Sequence, residues 1–193
     1  MLLYIHGFNS SALSFKARAA RARMEALGRG GEFVCPELPH RPAAAIALLE
    51  GLLGNGGPGG ACLIGSSLGG YYATWLAEKH DLRAVLVNPA VRPYELLQAY
   101  VGRQANLYTG AEYDLTEEHV AEVRALEVDH VTPERYLLLV KTGDEVLDYR
   151  QAVEKYRGSE QCVIPGGDHG FGDFEEYIDR VLAFCDSSAK ASC

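Results

Sequence analysis

The sequence predicts a three-layer α/β fold, in which a mainly parallel sheet of six strands lies between two layers of helices. Short apolar runs alternate along the chain with segments whose apolar residues recur every three or four positions. Alternation of strands with helices is typical of a parallel sheet that is covered on both faces. The chain has 193 residues, which fits one domain that buries a substantial core.

Each predicted strand is a short apolar run that ends at a turn-forming residue or a proline. In chain order, the predicted strands cover residues 2–5, 32–35, 61–64, 84–87, 135–140 and 161–164.

The predicted helices cover residues 11–27, 42–53, a segment after residue 67, 148–156 and 174–185. We expect the apolar stripe of the first helix to face the sheet, and we interpret its basic side as a solvated face rather than an anion site. The stripe consists of Leu13, Ala17, Ala20, Met24 and Leu27, and the basic side of Lys16, Arg18, Arg21, Arg23 and Arg29.

Two segments do not belong to this alternation. Residues 90–132 show helical patterns, with a favourable helix start at 116–118, and no strand-like run; they are too long for a plain connection, so we expect a small helical cap within the single domain 1–193. The glycine-rich tract 54–60 predicts a flexible connection rather than a phosphate cradle, because no Lys-Ser/Thr follows it. We expect the polar tail after residue 185 to fray.

Composition excludes several classes of function. Lys and Arg number 18 against 26 Asp and Glu, and a formal charge of -8 disfavours nucleic acid as a partner. No apolar run approaches membrane-spanning length, which predicts no membrane partner. The five scattered cysteines predict reduced thiols and a cytoplasmic protein. The six histidines include no pair at metal-ligand helical spacing, so we expect neither a metal nor another cofactor.

The third predicted strand is followed by Gly65-Ser66-Ser67-Leu68-Gly69, which matches the G-x-S-x-G pattern. In this pattern a sharp strand-to-helix turn exposes the central serine, and the glycines remove side chains that would collide there. The spacing selects Ser67, because Ile64 and Leu68 would frame Ser66. The alternative is a glycine-lined turn without chemistry that binds a phosphate.

Two later loops supply the groups that a serine nucleophile needs. Asp144 follows the fifth predicted strand and His169 follows the sixth, so we expect both at the sheet edge that carries Ser67. Nucleophile, acid and histidine then follow in the chain order of the α/β-hydrolases. We expect Asp148 to cap the next helix and Asp168 to form a turn, although Asp148 stays open as an alternative acid.

Acyl transfer also needs donors for the developing oxyanion. The backbone amide of Leu68 follows the nucleophile, and the loop after the first strand places the amide of Phe8 for the same role. We interpret the ring of His6 as a structural group that bonds a neighbouring loop.

Together these stretches resemble the YqiA-type esterases of the α/β-hydrolase superfamily over nearly the whole chain. The resemblance implies an intracellular bacterial carboxylesterase that uses Ser67, Asp144 and His169 on a small-molecule ester, with acyl-CoA thioesters as a further substrate class. It leaves the oligomeric state open. The matching segments are residues 4–11 (YIHGFNSS), 65–73 (GSSLGGYYA), 88–93 (NPAVRP), 142–149 (TGDEVLDY) and 167–169 (GDH).

Several alternatives remain at this point. Arg92 and Tyr108 are candidates for lining the substrate pocket, with surface packing as the other interpretation. The chain is alternatively a binding protein that keeps the fold without chemistry, or a hydrolase of carbon-carbon or amide bonds.

Overall fold

The computed structural model describes residues 1–54 and 60–187. The centre of the glycine-rich connection, residues 55–59, and most of the expected frayed tail, residues 188–193, lie outside the described residues. Within the described ranges, no helix is both long enough and apolar enough to cross a membrane.

The predicted six-stranded parallel sheet is confirmed. The strands are β1 (Leu2–Ile5), β2 (Phe33–Val34), β3 (Cys62–Ser66), β4 (Arg83–Val87), β5 (Gly102–Ala105), β6 (Glu112–Leu115), β7 (Tyr136–Lys141) and β8 (Glu160–Ile164). The strand order in the six-stranded sheet is β2-β1-β3-β4-β7-β8, and each neighbouring pair is parallel. The carboxyl ends of all six strands therefore meet at one edge.

Helices cover both faces of this sheet. The helices are α1 (Phe15–Ala26), α2 (Pro42–Gly54), α3 (Leu68–His80), α4 (Pro93–Leu97), α5 (Glu117–Arg124), α6 (Tyr149–Lys155) and α7 (Ile178–Asp186). Successive residues of a strand point to opposite faces, so each buried strand has apolar side chains on both faces. Leu3 and Leu63 pack in the layer that contains α2 and α3, whereas Tyr4 and Ile64 pack in the layer that contains α1 and α7.

The first helix begins later than the sequence predicts. Residues 11–14 form a turn, so Leu13 precedes α1 and is 61% exposed, while Leu27 is the residue after its end and is 44% exposed. The expected apolar stripe is therefore wrong at both ends. Its centre, Ala17, Ala20 and Met24, is buried against the sheet.

The segment between β4 and β7 contains strands that the sequence analysis missed. Strands β5 and β6 pair in an antiparallel hairpin between α4 and α5, so the expectation of helices without a strand is wrong. The hairpin strands are short, polar and mostly exposed, and they lack the apolar pattern of the other strands. The helix start at 116–118 is confirmed, since Thr116 caps α5 in a capping box with His119.

The cysteines also differ from expectation. Cys62 at the start of β3 is bonded to Cys185 in α7, although 123 positions separate them, so the prediction of reduced thiols is wrong for this pair. Within the described residues, Cys35 and Cys162 are free thiols. The inference of a cytoplasmic location from reduced cysteines loses its basis.

Candidate active site

Ser67 occupies a strained turn between β3 and α3. Its φ of 55° and ψ of -122° lie in a region that residues with a side chain rarely adopt. Three backbone hydrogen bonds hold this conformation. The amide of Ser67 donates to the carbonyl of Val87 (3.1 Å), and the carbonyl of Ser67 accepts from the amides of Gly70 (2.9 Å) and Ala90 (3.1 Å). The strain is thus supported from both α3 and the end of β4.

The glycines of the G-x-S-x-G pattern allow backbone segments to approach closely. A Cβ atom at Gly65 would lie 2.4 Å from the carbonyl oxygen of Gly69, and one at Gly69 would lie 2.0 Å from the carbonyl oxygen of Ile5. Both neighbours are backbone atoms, which cannot rotate away. The elbow therefore requires glycine at both positions.

Three residues from distant parts of the chain meet at the carboxyl edge of the sheet. The Nε2 atom of His169 lies 3.0 Å from Oγ of Ser67, and its Nδ1 atom lies 2.8 Å from Oδ2 of Asp144. The Asp144 side chain is buried, whereas the His169 ring remains partly exposed. The imidazole is thus hydrogen-bonded to a hydroxyl on one side and to a carboxylate on the other.

The second oxygen of Asp144 is also occupied. Its Oδ1 atom accepts hydrogen bonds from the amides of Val146 and Leu147, each at 2.8 Å. Burial alone would raise the pKa of the Asp144 carboxyl, but the hydrogen bonds from His169 and these amides outweigh burial and lower the pKa below its ordinary value. Asp144 is therefore an ionised and rigidly held partner for the imidazole.

The other two aspartates take the structural roles predicted for them. Asp148 precedes α6 and accepts a hydrogen bond from the amide of Arg150, which makes it the N-cap residue of that helix. Asp168 accepts from the amide of Phe171 and closes the turn that carries His169. Of these three aspartates, Asp144 is the one whose carboxylate contacts the ring of His169.

The loop after β1 passes directly beside Ser67. A Cβ atom at Gly7 would lie 3.6 Å from Oγ of Ser67, so the backbone of this loop faces the hydroxyl. In the part of the chain that the structure describes, the amides of Phe8 and Leu68 have no protein acceptor. The ring of His6 accepts from the amide of Leu38 and contacts the carbonyl of Gly7, which gives it the expected structural role.

A cavity of about 290 Å³ adjoins this loop. It extends between the loop after β1, the loop after β2, the start of α3 and the β5–β6 hairpin. Its wall includes Phe8 and Leu68, whose amides have no acceptor among the residues that the structure describes. Polar or ionisable groups on the wall include Asn9, Ser10, Glu37, His40, Asn106, Thr109, Glu112 and Tyr113.

The β5–β6 hairpin is fastened to the loop after β1 mainly through Asn9, which has a positive φ of 50°. The Asn9 side chain contacts the hydroxyl of Tyr113 (2.5 Å) and the side chain of Gln104 (3.3 Å). The Asn9 carbonyl accepts from the amide of Leu107 (3.0 Å), and the side chain of Asn106 donates to the carbonyl of Ser10 (2.8 Å). The hairpin and the loop beside Ser67 are therefore one hydrogen-bonded unit.

Neither of the two predicted pocket residues lines this cavity. Arg92 faces a different surface hollow, which it shares with Glu127 and Lys155, and its guanidinium lies 3.5 Å from the carboxylate of Glu95. Tyr108 is 47% exposed in the turn of the β5–β6 hairpin. The structure brings neither side chain together with Ser67.

Sequence reasoning assigned no role to Asn88 and placed Lys16 on a solvated face, yet both contact the loop that carries His169. The buried side chain of Asn88 donates to the carbonyls of Asp168 and His169. Lys16 of α1 donates to the carbonyl of Gly170 (2.6 Å). Their only sequence signals were the Asn88-Pro89 ending of a strand and a basic residue in a helix, which many proteins contain.

The described residues 1–54 and 60–187 contain no group of three or more His, Cys, Asp or Glu side chains that could hold a metal ion. The groups that the structure brings together at this edge of the sheet are the Ser67 hydroxyl, the His169 imidazole and the Asp144 carboxylate.

Comparison with known proteins supports this description of the fold. The family model described as Uncharacterised protein family (UPF0227) matches residues 1–186. A UPF0227 protein of Citrobacter koseri is 24% identical over 187 residues, which cover 95% of this chain and 98% of the relative.

Solved structures add the architecture. Alpha/beta hydrolase domain-containing protein 10 from mouse superposes with a TM-score of 0.73 at 17% identity, over 96% of this chain and 89% of that chain. The esterase domain of a Rhodothermus marinus protein superposes with a TM-score of 0.65 at 15% identity, over 94% of this chain and 83% of that chain. The fold is that of the α/β-hydrolases.

Proposed function

The chain belongs to the UPF0227 family, and from this premise we propose that it is a serine hydrolase that cleaves carboxylic esters through an acyl-Ser67 intermediate. One observation carries the proposal. A continuous hydrogen-bonded chain runs from the Asp144 carboxylate through the His169 ring to the Ser67 hydroxyl. A serine hydroxyl is a weak nucleophile until a correctly oriented base takes its proton, and this chain supplies both the base and its orientation.

In the first half-reaction, Nε2 of His169 accepts the proton of Ser67 as Oγ attacks the ester carbonyl. Asp144 holds the proton on Nδ1 of His169, which fixes the tautomer and stabilises the imidazolium. The amides of Phe8 and Leu68 donate to the developing oxyanion, and fixed donors of this kind cost no reorganisation as the charge appears. The imidazolium then gives its proton to the leaving alcohol oxygen, and the acyl group remains on Ser67.

The second half-reaction repeats the same proton transfers with water. His169 takes a proton from the attacking water molecule, and the oxyanion again forms beside Phe8 and Leu68. Collapse of this intermediate returns the proton from His169 to Oγ of Ser67 and releases the carboxylic acid. Every proton in this scheme passes between these side chains, the substrate and water.

The cavity beside Phe8 and Leu68 is the proposed binding site for the substrate. A volume of about 290 Å³ suits a small molecule, and the lining favours one that carries hydrogen-bonding groups as well as apolar surface. Among the described residues, its charged side chains are Glu37 and Glu112, with no lysine or arginine. We therefore rank neutral or cationic esters above acyl-CoA thioesters, whose phosphates would approach local negative charge.

We further propose that residues 1–193 act as one α/β-hydrolase domain with residues 90–132 as a cap. The supporting contacts are the hydrogen bonds that join Asn9 to Tyr113 and Leu107. Residues of the hairpin line the cavity together with the loop that carries Phe8, which supports this division. The cap is then the part of the domain that sets the size of the substrate site.

Turnover of short-chain chromogenic esters tests the proposal. Ser67→Ala should abolish hydrolysis, whereas Ser66→Ala, the matched change of the neighbouring serine, should retain most of it. Retained activity in Ser67→Ala would overturn the mechanism. Parallel assays on thioester and amide substrates decide between ester hydrolysis and the other hydrolase reactions. If the unaltered, folded protein turns over none of these substrates, a binding function is favoured.

A further inference from the structure

The end of β4 contacts the backbones of both residues that must exchange a proton. On one side, the carbonyl of Val87 accepts from the amide of Ser67 (3.1 Å), and the amide of Ala90 donates to the carbonyl of Ser67 (3.1 Å). On the other side, Asn88 contacts the His169 loop. Residues 87–90 therefore hydrogen-bond to the backbone of Ser67 and to that of the His169 loop, and so connect the two.

Asn88 forms hydrogen bonds through its backbone amide and through both polar atoms of its side chain. Its amide donates to the carbonyl of Leu139 (2.9 Å), and its Oδ1 atom accepts from the amide of Lys141 (2.9 Å), so its position is fixed against β7. Its Nδ2 atom donates to the carbonyls of Asp168 (3.1 Å) and His169 (3.2 Å). The Asn88 side chain thus links β7 to the backbone of His169 through hydrogen bonds.

The residue type suits this place. Asn88 has a φ of 41°, in the left-handed region that asparagine tolerates better than most residues with a side chain. It is 2% exposed, so an apolar replacement would take the Oδ1 acceptor from the buried amide of Lys141 and remove both hydrogen bonds to the loop that carries His169. An aspartate would keep the acceptor for Lys141 but would present an oxygen to the two carbonyls.

We propose that Asn88 is a positioning residue for His169, which sets the distance between Nε2 and the Ser67 hydroxyl. The inference rests on the proposed function, since it concerns the same proton transfer. Asn88 acts through the His169 backbone and does not touch the substrate. Its loss should therefore lower kcat and leave KM nearly unchanged, because ground-state binding in the cavity is unaffected.

Two variants separate this role from a general effect on folding. Asn88→Gly accepts the left-handed backbone and removes only the side chain. Asn88→Asp keeps the size and the Oδ1 acceptor, and it replaces the two donated hydrogen bonds with repulsive oxygen–oxygen contacts. Gln161→Ala is the matched control, because Gln161 also donates from one amide nitrogen to two backbone carbonyls, those of Val153 (3.1 Å) and Tyr156 (2.7 Å), on a different part of the sheet.

The measurement is the rate constant for modification of Ser67 by a fluorophosphonate probe. Each variant is measured both with His169 present and in the His169→Ala background, and near-ultraviolet circular dichroism checks that it is folded. We expect Asn88→Gly and Asn88→Asp to slow modification by roughly 10- to 100-fold, because a displacement of reacting groups by about 1 Å can cost about 100-fold in rate. Gln161→Ala should leave the rate within about 2-fold, as expected for a surface change away from the site.

The His169→Ala background decides how Asn88 acts. If Asn88 works through His169, removing the imidazole first leaves nothing to position, and Asn88→Gly should then change the rate by less than about 2-fold. An equal slowing in both backgrounds, or no slowing in either, would overturn the inference. Failure of the unaltered protein to react at Ser67 would overturn the proposed function as well, which distinguishes the two failures.

Discussion

The Nε2 atom of His169 lies 3.0 Å from the Oγ atom of Ser67, although 102 positions separate the two residues in the chain. Parallel strands make this contact possible, because Ser67 follows β3 and His169 follows β8 at the same edge of the sheet. The proximity is set by the sheet and by the turns that follow each strand. Substitutions that alter those turns or their partners should therefore affect activity in specific ways.

Asp144→Asn should lower kcat by roughly 10⁴-fold while the fold is retained, since an amide no longer stabilises the correct tautomer of His169. Initial rates on a chromogenic ester across a pH series measure this effect. The matched control is Asp148→Asn, which alters the carboxylate that caps α6 and should leave kcat nearly unchanged. If Asp148→Asn were the inactive variant instead, the assignment of the acid would be wrong.

Gly69→Ala should destabilise the protein by about 3 kcal/mol, because the new Cβ atom would lie 2.0 Å from the carbonyl oxygen of Ile5 and neither backbone can yield. The matched control is Gly51→Ala in α2, where a Cβ atom meets nothing within 4 Å and helix propensity should raise the stability by roughly 0.5–1 kcal/mol. Urea denaturation gives both values. Equal effects of the two substitutions would contradict the close packing at the elbow.

Asn9→Gly should loosen the β5–β6 hairpin without straining the backbone, since glycine adopts the φ of 50° at this position. The hydroxyl of Tyr113 and the side chain of Gln104 lose their partner, so the cavity wall becomes mobile. We expect faster hydrogen exchange of the hairpin amides and a higher KM for ester substrates. Unchanged exchange in residues 102–115 would show that Asn9 does not fasten the hairpin.

Lys16 gives a prediction about pH and stability. Burial lowers the pKa of Lys16 to about 8 from an ordinary value of 10.5, against the opposing charges of Asp168 and Asp144. Between these pH values the lysine is mostly protonated in the unfolded chain and mostly unprotonated in the folded chain, so the free energy of unfolding increases as the pH rises. Lys16→Met has no lysine at this position and lacks this increase, while its other titrating groups are the same.

The difference in the free energy of unfolding between the unaltered protein and Lys16→Met should therefore increase from about pH 8 to pH 10.5. Below about pH 8 the difference should stay constant. Urea denaturation at matched pH values measures it. A difference that is flat or that falls across this window would show that the ammonium group is not desolvated in the folded protein.

Much of the architecture could be predicted because its signals are local. The apolar runs mark the strands, and the glycines around Ser67 mark the sharp turn, so each element carries its own evidence. The parallel arrangement then determines which loops share an edge. The proposed roles of Ser67, Asp144 and His169 needed only this reasoning, and Asp148 and Asp168 could be assigned to turns and caps by the chemistry of their side chains.

The parts that were missed depend on contacts between distant segments. Strands β5 and β6 are short and polar, and the hydrogen bonds of Tyr113 to Asn9 and of Asn106 to Ser10 join segments about a hundred residues apart. The Cys62–Cys185 bond likewise joins positions with no local pattern. Asn88 acquires its significance only where the ends of β4, β7 and the His169 loop meet, which no spacing in the sequence reveals.

Covalent labelling of Ser67 tests the central claim most directly. The folded protein is treated with a fluorophosphonate probe, and peptide mapping by mass spectrometry locates the phosphonyl group. We expect modification at Ser67 in the unaltered protein and in Ser66→Ala, and none in Ser67→Ala. Modification of a different residue, or no modification of the folded protein, would contradict the proposal that Ser67 is a nucleophile activated by His169.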